Sequence, residues 1–135
     1  MAEAYWGEIR MFAGDYAPRG WLLCNGQLLQ IQQYQPLYAI IGNRYGGDGR
    51  TTFGLPDLRG RVPVGMGQGA GLAPYNLGQS GGAERNTPAA VQLQTPDTAP
   101  TKPVAVASSA AGDNRQPYQV VNFIICVEGM WPERP

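Results

Sequence analysis

The run Gln119-Val120-Val121-Asn122-Phe123-Ile124-Ile125-Cys126-Val127 is nearly unbroken in apolar residues, rich in β-branched side chains and of strand length. A run of that kind arises where both faces of a strand are covered, so it is predicted to form the central strand of a sheet. Pro132 and Pro135 follow it and rule out a helical continuation. The flanking strands and the cover for both faces must come from elsewhere in the chain.

Working outward, the segment just upstream is a poor source of either. Residues 86–117 contain no aromatic residue, and Pro88, Pro96, Pro100 and Pro103 forbid a continuous helix. Val91, Leu93, Val104 and Val106 offer short alternations at most. This stretch reads as a surface excursion of extended chain, or as an arm that orders on a partner. Residues 5 to about 65 are dense in aromatic and aliphatic side chains and should hold most of the core. Ile9, Met11 and Ala13 alternate with Arg10 and Phe12, which predicts a short strand. Trp21–Cys24 and Gln27–Leu29 flank Asn25-Gly26, a strong hairpin signal because both turn residues of that type need positive φ. Ile31, Tyr34, Leu37, Tyr38 and Ile41 share a helical face, with Pro36 in the first turn and Gly42 as a stop. Residues 45–53 read as a glycine-rich loop, and 55–64 as a strand interrupted by turns.

The 135 residues bound the chain to one small domain. It divides into a core of 5–65, a loop-rich excursion of 66–117 and a closing strand and tail of 118–135. Ten basic residues balance ten acidic ones, so bulk electrostatic binding of nucleic acid or anionic membrane is not expected. No run is long and apolar enough to insert in a membrane, and MAEAYWGEIR lacks the basic start and apolar core of a signal peptide. Histidine is absent, which removes the Ser-His-Asp and Cys-His nucleophiles, the imidazole metal ligand and the usual proton shuttle near pH 7. Lys102 is the only lysine, and no Gly-Lys-Ser/Thr tripeptide exists to cradle phosphate. The alternating Gly65, Gly67, Gly69 and Gly71 lack the strand–glycine–helix context of a dinucleotide fingerprint. Cys24 and Cys126 form either one disulfide or two buried thiols, and their spacing does not decide between them.

The chemistry-bearing candidates each have a structural alternative. Asp48 and Asp57, with Glu8, could supply a carboxylate pair for glycoside hydrolysis; in their turn contexts, bonding to backbone N–H groups outweighs that reading. Trp6, Trp21 and Trp131 could stack on sugar rings, but core or interface anchoring outweighs it. Arg59 and Arg61 flank Gly60 and could grip an anion, or pair with Asp57 or Asp48, or cross a subunit contact. Tyr45 and Tyr75 complete the set of candidate interface or binding residues.

The string Phe12-Ala13-Gly14-Asp15-Tyr16-Ala17-Pro18-Arg19-Gly20-Trp21-Leu22-Leu23-Cys24-Asn25-Gly26-Gln27 closely resembles the opening of the phage tail collar domain family, which includes bacterial proteins called microcystin-dependent. The resemblance continues through Ile31, Leu37, Ile40-Ile41-Gly42, Tyr45–Gly49, Thr51-Thr52-Phe53 and Leu55–Pro63. It resumes at Gly78–Glu84, Asn122–Ile125 and Glu128–Pro132. It implies an α+β fold, a small mixed α/β collar domain with short strands, one short helix and long Gly/Pro-rich loops.

It further implies a non-enzymatic homotrimer, without cofactor, in the virion tail. There it would join fibre segments or present host-attachment parts alongside other tail, baseplate or fibre proteins. Family members usually carry a Pro-x-His-x-His motif, with comparable paired histidines binding metal on the threefold axis of short tail fibres. This sequence has Asn86-Thr87-Pro88-Ala89-Ala90 and then Gln94–Thr98 there, so no metal site carries over. The segment 86–117 becomes the candidate for exchange or packing between subunits. A second reading is a secreted or surface adhesin that recognises cell-surface glycan, or a bacterial extracellular filament subunit, with Trp6 and Tyr75 as the aromatics to change.

Overall fold

In the computed structural model the described residues are 3–86 and 112–135. The chain separates into two compact units, one of residues 1–80 with 119–135 and one of 81–118. The elements are short throughout: β1 Ile9–Phe12, β2 Trp21–Leu23, β3 Leu28–Gln30, α1 Gln35–Ile41, β4 Thr52–Gly54, β5 Gly67–Gln68, β6 Pro74–Tyr75, β7 Arg85–Asn86, β8 Gly112–Asp113 and β9 Asn122–Cys126. The chain is therefore mostly short strands with one short helix, as expected of a mixed fold.

β9 is the middle strand of a three-stranded sheet ordered β1-β9-β2, antiparallel to both neighbours. Its apolar run explains the position: Ile124, Ile125, Cys126 and Val127 are all buried, so both faces are covered. The strand is shorter than the run that encodes it. Val120 is 82% exposed, and pairing begins at Asn122 opposite Phe12. Asn122 also donates its side-chain amide to Gly14 O at 2.7 Å, which fastens the loop after β1.

The two faces of β9 have different surroundings. Ile125 and Val127 join Cys24, Leu29, Leu37, Ile41, Phe53 and Leu55 in one apolar cluster, with Leu22 and Phe123 packed against it. Each fully buried side chain of this size contributes about 1.5–3 kcal/mol. α1 supplies Leu37 and Ile41 to that cluster. Pro36 sits in its first turn, and Gly42, at φ 60°, ends it with its N–H bonded to Tyr38 O. The β3–β4 ladder adds Leu29 and Phe53, paired directly across it. Tyr38 packs on Phe53 with ring centroids 5.4 Å apart and donates to Gly49 O at 3.2 Å.

Two expectations are corrected. Asn25-Gly26 does not turn a hairpin between its flanking runs: β2 pairs with β9, and β3 pairs with β4. Gly26 alone has positive φ, 76°, whereas a two-residue turn of that type needs it at Asn25 too. The backbone is instead claimed by the 55–58 segment, through Gly26 N to Pro56 O, Leu55 N to Gln27 O and Leu58 N to Cys24 O. For the same reason 55–64 is not a strand. It makes one isolated bridge, Asp57 to Asn25, before Arg59 and Gly60 turn the chain. β1 forms where expected, with Ile9, Met11 and Ala13 all exposed and Arg10 and Phe12 half-buried. Arg10 lies over the Trp21 ring at 5.1 Å and pairs with Glu8, and Phe12 meets Tyr16 edge-on at 5.7 Å. Those contacts select the inner face of β1.

In the second unit, β7 and β8 pair antiparallel. Arg115 bonds Asp113 and Glu84 and lies 4.6 Å from the Tyr118 ring centroid. The expected excursion of 86–117, and its role in exchange between subunits, falls largely on residues outside the described ones.

Candidate functional site

The loop after α1 is organised by Asp48. Its Oδ1 accepts the backbone N–H groups of Arg50, Thr51 and Thr52 at 2.8, 2.9 and 2.9 Å, and its Oδ2 accepts the Thr51 hydroxyl at 2.9 Å. These bonds, those from Thr52 and Arg50 foremost, hold the carboxyl well below the usual range. Asp57 is held by Arg59, whose guanidinium grips it at 2.8 and 2.9 Å, and its pKa falls to about 2. Arg61 donates to the Asp57 backbone O at 3.0 Å and sits 3.8 Å from its carboxylate. Both carboxylates are thus ionised acceptors in use by the turn, with no proton to donate at neutral pH. Glu8 is lowered as well, first by its bond with Arg10.

Of the aromatic candidates, Trp6, Trp21 and Tyr45 are half-buried, and Trp6 and Tyr45 pack against the main cluster. Burial pushes the Tyr45 hydroxyl up. Tyr75 and Trp131 are exposed, but in separate places. Trp131 lines a shallow cleft of about 460 Å³ with Tyr5, Met130, Pro132 and Glu133. The tail is fixed there by Trp6 N to Met130 O at 3.0 Å and Met130 N to Ala4 O at 2.8 Å. Tyr75 belongs to a different feature, the arm of residues 62–77.

That arm was not singled out by sequence reasoning. Residues 61–77 are exposed throughout, and Val62, Val64, Met66, Leu72, Tyr75 and Leu77 are between 42% and 73% exposed. The two-residue strands β5 and β6 pair within it, joined by a turn in which Leu72 N bonds Gly69 O. At its far end the chain comes back against the body, where a Cβ on Gly78 would lie 2.8 Å from Arg44 O. Between Arg61 and Glu84 no residue carries a charge. The signal was therefore present in the sequence, as a charge-free run with apolar residues dispersed among glycines. Six large apolar side chains thus lie exposed along one arm.

The sheet closed by the distant strand β9, the turn carboxylates of Asp48 and Asp57 and the exposed apolar arm are the features set beside known proteins. Residues 7–63 match the family model of the Phage Tail Collar Domain. The chain is similar to Protein RhiB of Rhizobium leguminosarum bv. viciae, 39% identical over 59 residues, which are 42% of this chain and 27% of the relative. It is also similar to Short tail fiber protein gp12 of Enterobacteria phage T4, 41% identical over 73 residues, 53% of this chain and 14% of the relative. The matched region thus spans well under two thirds of either relative. Among the described residues no group of three acidic or cysteine side chains could hold a metal ion, and no helix is long and apolar enough to cross a membrane.

Proposed function

We propose that the chain is a non-enzymatic structural component of a phage or phage-derived tail fibre or tail tip. It assembles with copies of itself as a homotrimer and joins fibre segments or presents host-attachment parts, alongside other tail or baseplate proteins. The observation that carries this reading is the charge-free, exposed apolar arm of 62–77 following directly on the residues that match the collar domain. A monomer gains nothing from holding that surface in water, whereas burial between copies stabilises it. The occupied carboxylates of Asp48 and Asp57 support the non-enzymatic part. Light scattering and mass photometry test the assembly, with a trimer mass expected; immunogold labelling of purified tail particles tests the location. A monomer at all concentrations, with no label on tails, rejects the reading.

The second reading is a glycan-binding surface or adhesin module of a virion or a bacterium. It is supported by the Tyr5–Trp131 cleft, whose two aromatics are 48% and 51% exposed. Binding on a glycan array that disappears with Trp131→Ala supports this reading, and an array without any binding removes it.

A further inference from the structure

Among the described residues β1 is an edge strand, and Ile9 and Met11 give it two exposed apolar side chains. Cys126 donates to Glu8 O at 2.9 Å, and the antiparallel register runs on through Arg10 opposite Ile124 and Phe12 opposite Asn122. Hydrogen-bonded pairs alternate along such a ladder, so Arg10 and Phe12 bond to β9 while Ile9 and Met11 aim their N–H and C=O groups away from it. The side chains of Ile9 and Met11 are 41% and 72% exposed as well. An edge of this kind invites a further strand.

The arm holds a segment with the matching pattern. Val62-Pro63-Val64-Gly65 alternates, its valines are 73% and 65% exposed, and none of Val62–Met66 makes a backbone bond outside a strand ladder among the described residues. From these two features we propose that Val62–Gly65 of one copy pairs antiparallel with the β1 edge of a second copy. Met11 then lies opposite Val62, and Ile9 opposite Val64. This inference rests on the self-association proposed above and names the surfaces that carry it.

The stereochemistry fits without adjustment. Residues opposite Ile9 and Met11 are the ones whose N–H and C=O must face β1, and both are valines. Pro63, which has no N–H, falls at a position facing away from the ladder, where a proline is tolerated. Val62 and Val64 then meet Ile9 and Met11 on one sheet face. Charge does not oppose the contact: the arm has none, and Arg10, the one charged residue of β1, is on the opposite face, paired with Glu8. Because the two surfaces differ, the contact is heterologous, so its repetition gives a ring where the rotation closes and an open filament where it does not. The second copy is the fitting occupant because both halves lie unpaired among the described residues of one copy.

The test uses the full chain. Tagged Met11→Cys protein is mixed with untagged Val62→Cys protein and oxidised; a disulfide between the two species is expected, since a bonded pair brings Cα atoms within bridging distance. Met11→Cys mixed with Leu77→Cys is expected to give none. Independently, Val64→Glu should weaken association at least about a hundredfold in sedimentation equilibrium, because the pairing would bury an unpaired charge. Cross-linking confined to the Val62 mixture supports the inference. Oligomeric wild type without that cross-link, and with Val64→Glu unaffected, overturns this pairing and leaves the proposed self-association standing. A monomeric wild type at all concentrations overturns both. Should Val64→Glu lose its circular dichroism spectrum, the cross-link alone decides.

Discussion

Cys126 on β9 and Cys24, one residue past the end of β2, are three residues out of register and so face opposite sides of the sheet. Cys24 bonds at the level of Phe123, through its N to Phe123 O at 2.9 Å, whereas Cys126 lies opposite Trp21. Three strand residues span about 10 Å, beyond the ~7 Å limit for a bridge. Of the two sequence alternatives, the structure has two free, buried thiols.

The first prediction concerns these thiols. Burial pushes the Cys24 thiol up to about 11, so it has almost no thiolate at neutral pH. Neither cysteine should react with Ellman's reagent until the protein is unfolded, and reductant should leave Tm unchanged. Mass spectrometry of non-reduced peptides should find no Cys24–Cys126 link.

Acid stability should depend on the two turn carboxylates. Their folded pKa values lie below the ordinary value, Asp57 at about 2 and Asp48 lower still in direction. A depressed carboxylate stabilises the fold fully above its unfolded pKa of about 3.9, and that stabilisation is lost as pH falls toward the folded value. Unfolding curves should therefore show stability decreasing below about pH 4. Asp48→Ala should lower Tm at pH 7 and flatten the acid limb. Asp48→Asn should cost less, because its one carbonyl oxygen can still accept the backbone bonds.

Leu37 is fully buried in the main cluster, on the helix face packed against the sheet. Leu37→Ala should destabilise by about 2–5 kcal/mol through lost burial and the cavity left behind. Urea titration at matched protein concentration would measure it. An effect under half that range would mean that the helix relaxes into the gap.

Gly129 has no room for a side chain. A Cβ there would collide with Ala4 O and approach Cys126 Sγ to 2.8 Å. Gly129→Ala should cost on the order of 1–3 kcal/mol and loosen the Tyr5–Met130 bridge, visible as faster hydrogen exchange at Trp6 and Met130.

The chain contains no histidine, so it has no imidazole with which to hold a metal. Chelation should therefore leave any assembly intact. Light scattering before and after EDTA checks this, and dissociation would contradict it.

What was legible in the sequence was whatever depends on one element. β9 declared itself because a strand covered on both faces needs an unbroken apolar run, and α1 because Pro36 and Gly42 bracket a helical face. What stayed hidden depended on partners. Asn25-Gly26 has the local chemistry of a hairpin, yet the 55–58 backbone competes for the same groups and wins. The faces of β1 were set by Trp21 and Glu8 acting on Arg10, contacts that no alternation within four residues records. The candidate residues Asp48, Asp57, Arg59 and Arg61 were found, and the structure places their charges in turns. The arm was missed because its apolar residues are spread among glycines, with no period to mark an element.

The position of β9 also governs the order in which the domain can take shape during synthesis. Trp21 must wait for Cys126, and Ile9 for Ile125, before either flanking strand has a neighbour. A nascent chain halted anywhere before Asn122 holds two strands with no common partner and a half-built core. Such fragments would stay open to proteases until Asn122–Cys126 has been made.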